Sequence, residues 1–235
     1  MKRYSAIIII LIFLSTVLFK GMHFSDFSVQ QVPEASDTVM IAWKDKLIDS
    51  CGIPEPALNT AMNGYNWLKS ENLLKNDSLI TIIDFSSAST SKRFFILDVK
   101  NKQVIKNTWV AHGIQSGENL AESFSNKHSS NKSSLGLYVT RETYEGKHGF
   151  SLRLDGMTEG LNDNARERAI VIHGADYVSK DFIQETGRLG RSYGCPALPS
   201  TEVNQIIEFI KEGSCLFIYH PDLIPIPTER LEKLP

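Results

Sequence analysis

Cys195 stands in a segment whose composition suits a reactive thiol. The segment, residues 188–196, has the sequence RLGRSYGCP, and Gly190 and Gly194 allow its backbone to turn tightly because glycine has no Cβ atom. Such a turn can direct the amide N–H groups of Tyr193, Gly194 and Cys195 into one small space. Converging amides of this kind form an oxyanion hole, so the segment predicts a cysteine nucleophile for acyl transfer.

His173 is the residue expected to activate this thiol. Only the thiolate attacks, and a neighbouring imidazolium brings a cysteine pKa from about 8.5 down to roughly 3.5–7.5. His173 ends the apolar run 169–172 and precedes Gly174, which places its imidazole at a strand end where backbone can approach closely. Two other interpretations stay open: Cys195 as an inert buried thiol, and His173 as a hydrogen-bonded structural residue.

A zinc site is a further alternative for the same residues. His-Gly pairs occur at three positions, His112, His148 and His173. Together with Cys195 these side chains could act as zinc ligands. However, the chain has no H-x-x-x-H or C-x-x-C spacing, and the three histidines are far apart in sequence. The cysteine nucleophile is therefore favoured over the metal site.

The cysteine content is too low for a disulfide scaffold. Only three cysteines occur, Cys51, Cys195 and Cys215. Either Cys51 and Cys215 pair, which would leave Cys195 free, or they remain two separate thiols.

The elements that must position this chemistry are mostly strands. Short runs rich in β-branched and aromatic residues predict strands at 79–85, 94–99, 108–112, 135–140, 169–173 and 214–219. The segments between them are short or rich in Gly, Ser and Asn, and they lack the regular crossover helices of a parallel sheet. The helical spacing of Val203, Ile206 and Ile210 predicts one late helix, with Ser200 as its cap and Gly213 as its end. The fold class is therefore predicted as mainly β, a β-sandwich with a few helices.

A short helical segment is predicted before the strands. Val39, Trp43 and Leu47 recur at helical spacing, and a second helix is expected to run from Leu58 to Leu68. We interpret these helices as a support for the main domain. The predicted organisation is a signal peptide or membrane anchor in 1–20, a linker in 21–35, the helical support in 36–75, a catalytic domain in 76–220 and a C-terminal tail in 221–235.

Composition and charge restrict the partners of the chain. With 235 residues, 42% of them hydrophobic and 22% charged, the chain can form one main globular domain. A net charge of −2 and a pI near 6.3 disfavour nucleic-acid binding, which requires a surplus of positive charge. Lys2 and Arg3 precede an apolar run and predict export. No cleavage site stands out after this run, so anchoring in the inner membrane through residues 5–19 stays open.

The order of the chemical residues resembles a known family. His173-Gly174, followed after a loop by Ser192-Tyr193-Gly194-Cys195, resembles the signature of the L,D-transpeptidases (the YkuD-type catalytic domain), in which a Ser/Thr-His-Gly-Cys stretch follows an upstream His. The similarity extends to the murein L,D-transpeptidase branch over about 79–219. The further segments that carry it are AHG at 111–113, FSN at 124–126, SSLGLY at 133–138, GKHG at 146–149 and NDNA at 162–165.

The resemblance implies a β-sandwich-like catalytic domain that acts on peptidoglycan stem peptides. Its cysteine attacks the amide between an L- and a D-centre of a tetrapeptide stem, the terminal D-residue leaves, and an amine of a second stem resolves the acyl-enzyme. The resemblance also implies that His173 is the base and later the acid, and that the backbone carbonyl of Gly174 orients its ring. The amides around Tyr193, Gly194 and Cys195 are implied to hold the oxyanion. No metal or cofactor is implied, and the setting is the periplasm or cell envelope.

Alternatives to this activity remain at the level of the sequence. Water in place of the amine would make the chain an L,D-carboxypeptidase or endopeptidase, and a structural Cys195 would make it a non-catalytic cell-wall-binding module. The oligomeric state is open.

The sequence departs from the family pattern beside the nucleophile. Tyr193 stands where many members have His, and Pro196 and Ala197 replace the apolar-Arg or apolar-Asn pair that often follows the cysteine. A substitute substrate contact is therefore expected from Arg188 or Arg191, whose planar fork matches a carboxylate. Arg191 is preferred because it is closer to Cys195 in the sequence. The other residues predicted to bind substrate are Ser192, Tyr138 and His148. The segment 141–168 is expected to form a flap over the substrate.

Overall fold

The computed structural model describes residues 35–222, which form four α-helices and eight β-strands. In chain order these are α1 Ala35–Cys51, α2 Glu55–Ser70, β1 Leu79–Asp84, β2 Phe94–Asp98, β3 Gln103–Thr108, β4 Gly136–Gly146, β5 Gly149–Gly156, β6 Val171–Ala175, α3 Lys180–Thr186, β7 Ala197–Pro199, α4 Val203–Ile210 and β8 Cys215–Tyr219. The predicted signal or anchor, the linker and most of the C-terminal tail lie outside the described residues.

The strands form one series in the order β3-β2-β1-β8-β4-β5-β6-β7. Most neighbours are antiparallel, whereas β1 pairs with β8 and β6 pairs with β7 in parallel. The strands β1, β2 and β8 are buried along their whole length, in keeping with their runs of Ile, Leu and Phe. The predicted mainly β fold with a few helices is confirmed.

The helices before the sheet share its hydrophobic core. Leu58 and Leu68 of α2 are fully buried in the same cluster as Ile82 of β1 and Phe217 of β8. The sequence boundary near residue 75 therefore marks a change in secondary structure and does not separate two cores. Within residues 35–222, no helix is long and apolar enough to cross a membrane.

Three details of the predicted elements are wrong. The third strand ends at Thr108, and after it Ala111 and Gly113 pair only through isolated bridges, to Ala197 and Ser192. The helix α3, capped by the Ser179 hydroxyl, was not predicted because it has no buried residue and so no apolar stripe. Ser200 does not cap α4, since its hydroxyl donates to Asp176 Oδ1 at 2.6 Å.

The predicted flap is largely a β-hairpin. β4 and β5 pair up to Gly146 opposite Gly149, so that Lys147 and His148 form a two-residue turn. The strand β5 was not predicted because Arg153 interrupts its apolar pattern. The hairpin extends beyond the sheet toward the face where β6 and β7 end.

Candidate active site

Two neighbouring strands bring Cys195 and His173 to one place. The parallel register of β6 and β7 sets His173 opposite Ala197, so Cys195, two residues before Ala197, lies beside Val171. Val171 and His173 are two residues apart on β6 and project from the same face of the strand. The two side chains predicted to perform chemistry therefore line one cleft.

The cleft has a volume of about 440 Å³ and opens to solvent. Its lining comprises Tyr144, Lys147, His148, Arg168, Ala169, Ile170, Val171, His173, Tyr177, Arg191, Ser192, Tyr193 and Cys195. The lining thus joins the nucleophile segment, the hairpin tip and the residues that lead into β6.

The Cys195 thiol is held by backbone groups. Its Sγ accepts a hydrogen bond from the Val171 N–H at 3.4 Å and donates to the Ala169 carbonyl at 3.6 Å. Among the described residues, no hydrogen bond joins Sγ to His173. Burial raises the pKa of the thiol, and this effect outweighs the Val171 amide and the positive charges of Arg168 and Lys147. The resting side chain is therefore a neutral thiol.

The His173 imidazole is oriented by the residue that follows it. Its Nδ1–H donates to the Gly174 carbonyl at 2.9 Å, which leaves Nε2 unprotonated and free to accept a proton. Burial lowers the pKa of His173, and it outweighs the opposing effect of the Gly174 carbonyl. The neutral imidazole is the form that a general base requires. The contact predicted for the Gly174 carbonyl is present.

The turn before the nucleophile is fixed by the Ser192 hydroxyl. Ser192 Oγ donates to the Cys195 carbonyl at 2.6 Å and accepts the Gly194 N–H at 3.0 Å. Two predictions are therefore wrong: the Gly194 amide is not free for an oxyanion, and the Ser192 hydroxyl is engaged in the turn and is not free to bind substrate. Within residues 35–222, the amides of Tyr193 and Cys195 have no acceptor, and they remain the candidate oxyanion donors.

Ser133 also supports this turn through hydrogen bonds of its hydroxyl. It was not among the residues predicted from the sequence. Its Oγ donates to the Gly194 carbonyl at 3.1 Å and accepts the Gly113 N–H at 3.0 Å. Gly194 has a φ of 125°, and a Cβ atom there would lie 2.8 Å from the Lys132 carbonyl. The Ser/Asn-rich composition of 123–134 was the available signal, because it marked a long loop without showing what the loop contacts.

Arg168 is a second residue that was missed. Its guanidinium donates to the carbonyls of Ser125 and Lys132 at 2.6 and 2.7 Å, and also to the hydroxyls of Ser130 and Ser134. Burial lowers its pKa. Arg168 thus ties the loop 123–134 to the start of β6 and places a positive charge near the Cys195 thiol. Because Arg168 is far from that loop in the sequence, no local sequence pattern indicated that the two are in contact.

Arg191 and Tyr138 differ from their predicted roles. Arg191 lines the cleft, but its Nη1 donates to the Gly117 carbonyl at 3.0 Å and to Glu118 Oε1 at 2.6 Å. One nitrogen of its guanidinium, Nη1, is therefore engaged within the protein. Tyr138 does not face the cleft: it is fully buried, and its hydroxyl donates to the Ser134 carbonyl at 3.1 Å. That prediction is wrong because β4 is covered on both faces at this position.

His148 does reach the cleft. Its ring stacks on that of His173, with centroids 4.4 Å apart and planes inclined by 24°. The hairpin turn therefore touches the imidazole expected to act as base.

His112 belongs to a separate buried network. Arg93 donates to His112 Nδ1 at 2.8 Å, and His112 Nε2–H donates to the Gly117 carbonyl at 3.3 Å. Burial and the charge of Arg93 lower the pKa of His112 to about 4. Across the described part of the chain, no group of three His, Cys, Asp or Glu side chains is arranged to hold a metal ion.

Cys51 and Cys215 are separate free thiols. Cys215 is buried in β8, where burial raises the pKa of its thiol, and Cys51 ends α1. Of the two pairing alternatives, the structure has the unpaired one.

Comparison with known proteins gives one family match. A family model described as the L,D-transpeptidase catalytic domain matches residues 50–219. No curated protein matches the sequence with significance.

Solved structures give only remote similarities. An L,D-transpeptidase from Mycobacterium smegmatis is 10% identical, with 61% of this chain and 59% of that chain covered and a TM-score of 0.37. The helical cell shape determining protein Pgp2 from Campylobacter jejuni is 14% identical, with 70% and 57% covered and a TM-score of 0.40. The chain thus spans less than two thirds of the length of either of these two structures.

Proposed function

Because this chain belongs to the L,D-transpeptidase catalytic domain family, we propose that it is a cysteine-dependent L,D-transpeptidase of peptidoglycan stem peptides. One observation carries the proposal. The His173 Nδ1–H is bound to the Gly174 carbonyl, so a neutral Nε2 shares the cleft with the Cys195 thiol. A thiol and a base of this kind can form and resolve a thioester.

In the proposed acylation, the Cys195 thiol turns from the Ala169 carbonyl toward His173. As its proton passes to Nε2, the sulfur attacks the carbonyl carbon of the amide between the L- and D-centres of the stem. The negative charge on the carbonyl oxygen is stabilised by the amides of Tyr193 and Cys195. The C–N bond then breaks, and the imidazolium gives its proton to the departing amine of the terminal D-residue.

The second half-reaction resolves the thioester. An amine of a second stem attacks the acyl carbon, and Nε2 of His173 takes the proton from that amine. The C–S bond breaks, the new amide is released, and the sulfur recovers a proton from the imidazolium. Water in place of the amine would give hydrolysis by the same steps.

The test is incubation of the full-length protein with tetrapeptide-stem muropeptides, followed by mass spectrometry of products and protein. We expect stem dimers joined through the third residue and an acyl mass on Cys195. Cys195→Ala and His173→Ala should abolish the dimers, whereas Cys51→Ala should retain them as a matched thiol control. Tripeptide stems without dimers would indicate a hydrolase instead. Turnover by Cys195→Ala would refute the cysteine mechanism.

We also propose that residues 1–20 direct export, since peptidoglycan lies outside the cytoplasm. The supporting feature is the pair Lys2 and Arg3 before an apolar run. Residues 1–34 fused to alkaline phosphatase that lacks its own signal should give periplasmic activity. Replacing both cations and placing two acidic residues in the run should remove that activity.

A further inference from the structure

The active-site cleft carries positive charge only. Three side chains of its lining are cations at neutral pH: Lys147, Arg168 and Arg191. Within the described residues, no Asp or Glu lines the cleft. The chain as a whole has a net charge of −2, so this bias belongs to the cleft and does not follow from the composition. A cleft of one sign concentrates ligands of the opposite sign.

Two of the three cations are already engaged. Arg168 donates to carbonyls and hydroxyls of the loop 123–134, and Arg191 is paired with Glu118. The ammonium of Lys147, in contrast, has no carboxylate within ion-pair distance among residues 35–222, and it is exposed. Lys147 is therefore the lining cation that makes no hydrogen bond or ion pair with the rest of the described chain.

The position of Lys147 is set by a braced hairpin. Gly146 pairs with Gly149, so Lys147 occupies a two-residue turn at the end of long strands. At the base of the arm, Arg166 bridges Glu142 of β4 and Asp155 of β5 at 2.9 and 2.5 Å. The turn is thereby held over the cleft.

The positive charge of Lys147 lowers the pKa of both Cys195 and His173. Burial is the main cause of the raised pKa of Cys195 and the lowered pKa of His173, and the positive charge of Lys147 acts on both as a smaller effect. In addition, the next residue, His148, stacks on the His173 ring at 4.4 Å. Lys147 is therefore near the point where the bond is cleaved.

We propose that Lys147 binds the C-terminal carboxylate of the tetrapeptide stem, an inference that rests on the proposed function. That carboxylate is separated from the scissile amide nitrogen by a single carbon, so a cation that recognises it must lie beside the nucleophile and the base. Lys147 would then be a specificity residue for stems that end one residue beyond the scissile bond. A stem with its terminal charge removed would lose this contact.

The first test measures the activity of the full-length wild type and two variants on two substrates. The substrates are a tetrapeptide stem with a free C-terminal carboxylate and the same stem as the carboxamide. For the acid, Lys147→Gln should lower kcat/KM about tenfold, mainly through KM, as expected for loss of a charge-assisted contact. For the carboxamide, wild type and Lys147→Gln should be equal within about twofold. Lys100→Gln, an exposed lysine of the β2–β3 turn, is the control and should match wild type on both.

Equal losses on both substrates, or no loss on the acid, would overturn the assignment of Lys147. Circular dichroism and thermal unfolding of each variant separate this result from misfolding.

A second measurement does not depend on peptidoglycan chemistry. Alkylation of Cys195 by iodoacetate, an anion, is compared with alkylation by neutral iodoacetamide, using the mass of the Cys195 peptide. The rate ratio should fall severalfold in Lys147→Gln and stay unchanged in Lys100→Gln. If no stem is turned over but the ratio shifts, the proposed function fails and the anion site stands. If stems are turned over and neither the ratio nor the acid preference changes, the role of Lys147 fails alone.

Discussion

Burial acts in opposite directions on the pKa values of Cys195 and His173, and in both cases it favours the uncharged form. The resting pair is therefore a thiol and a neutral imidazole. This state differs from the thiolate–imidazolium pair that the sequence reasoning invoked to activate the cysteine. In the mechanism that we propose, activation would then accompany substrate binding, with the sulfur moving toward Nε2 and the proton transferred during attack.

The pH dependence of the enzyme should reveal this neutral pair. Because the pKa of His173 is lowered, the acid limb of kcat/KM for acylation should lie below about pH 6.5, where falling pH protonates the base. Because the pKa of Cys195 is raised, iodoacetamide labelling of the free enzyme should reach its half-maximal rate above about pH 8.5. Rapid labelling of Cys195 at pH 6 would instead indicate a preformed ion pair.

Ser192 should matter for rate more than for stability. Ser192→Ala leaves the Gly194 N–H and the Cys195 carbonyl without their shared partner, so the turn that aims the sulfur relaxes. We expect acylation to slow by about 10- to 100-fold, the range seen when a reacting group is displaced by roughly 1 Å. Ser192→Thr keeps the hydroxyl and should recover most of the rate in single-turnover measurements. An alanine variant as fast as wild type would show that the turn holds without this hydroxyl.

At the scale of elements, the β4–β5 hairpin is the part that the sequence left undefined. Its base contains an ion network in which Glu142 pairs with Arg166 and Arg153, and Asp155 pairs with Arg141 and Arg166. The Arg166 hydrogen bond is the main cause that lowers the pKa of Glu142 to about 2. The network joins β4 and β5 to the segment before β6 and so restricts the direction of the arm.

Glu142→Gln should loosen the hairpin with little effect on global stability. The side chain is largely exposed, so we expect a loss of under about 1 kcal/mol in the free energy of unfolding at pH 7. The folded pKa of Glu142 is depressed, so its stabilisation is present above about pH 4.3 and is lost as the pH falls toward 2. Amide hydrogen exchange in 143–154 should accelerate in Glu142→Gln.

The matched control is Glu208→Gln, which removes a similarly exposed ion pair with Lys211. It should give a comparably small stability change and unaltered exchange in the hairpin. Equal exchange rates in wild type and Glu142→Gln would show that the strands alone hold the arm.

Across the whole molecule, the helices α1 and α2 share one hydrophobic core with the sheet. α2 buries Leu58, Leu68 and Tyr65 against strands that come from both ends of the described chain, β1 and β8. The β8 strand in turn lies between β1 and β4, so the helix touches the centre of the sheet. A substitution that disturbs the packing of α2 should therefore also destabilise the strands that carry the site.

Leu68→Ala should destabilise the entire fold. Removal of a fully buried leucine costs about 2–5 kcal/mol through lost burial and the cavity left behind. Asn66→Ala, on the exposed face of the same helix, should change stability by no more than about 0.5 kcal/mol. Urea unfolding followed by tryptophan fluorescence and by far-ultraviolet circular dichroism should give coincident transitions in both variants. Separate transitions would indicate that the helices unfold independently of the sheet.

Features that depend on residues close together in the chain could be predicted from the amino-acid sequence. The glycines around Cys195, the His173-Gly174 step, the amphipathic helix α4 and the apolar strands β1, β2 and β8 are local patterns, and each has a physical signature of a few residues. Cys195 and His173 were therefore recognised as partners in one site, and the structure places His173 on β6 and Cys195 two residues before the neighbouring strand β7.

Which polar groups are free to act depends on the folded arrangement of the chain and could not be predicted from local patterns. Ser133, Arg168 and Lys147 come from separate loops, and their meeting at Cys195 depends on strand order and register, which no local pattern encodes. The same holds for groups that the fold removes from the predicted site. The Gly194 amide, Nη1 of Arg191 and the Tyr138 hydroxyl are chemically suitable but already paired. Buried polar groups are hydrogen-bonded to whichever partner the fold places nearby. Whether such a group is free to bind substrate is therefore a property of the folded chain.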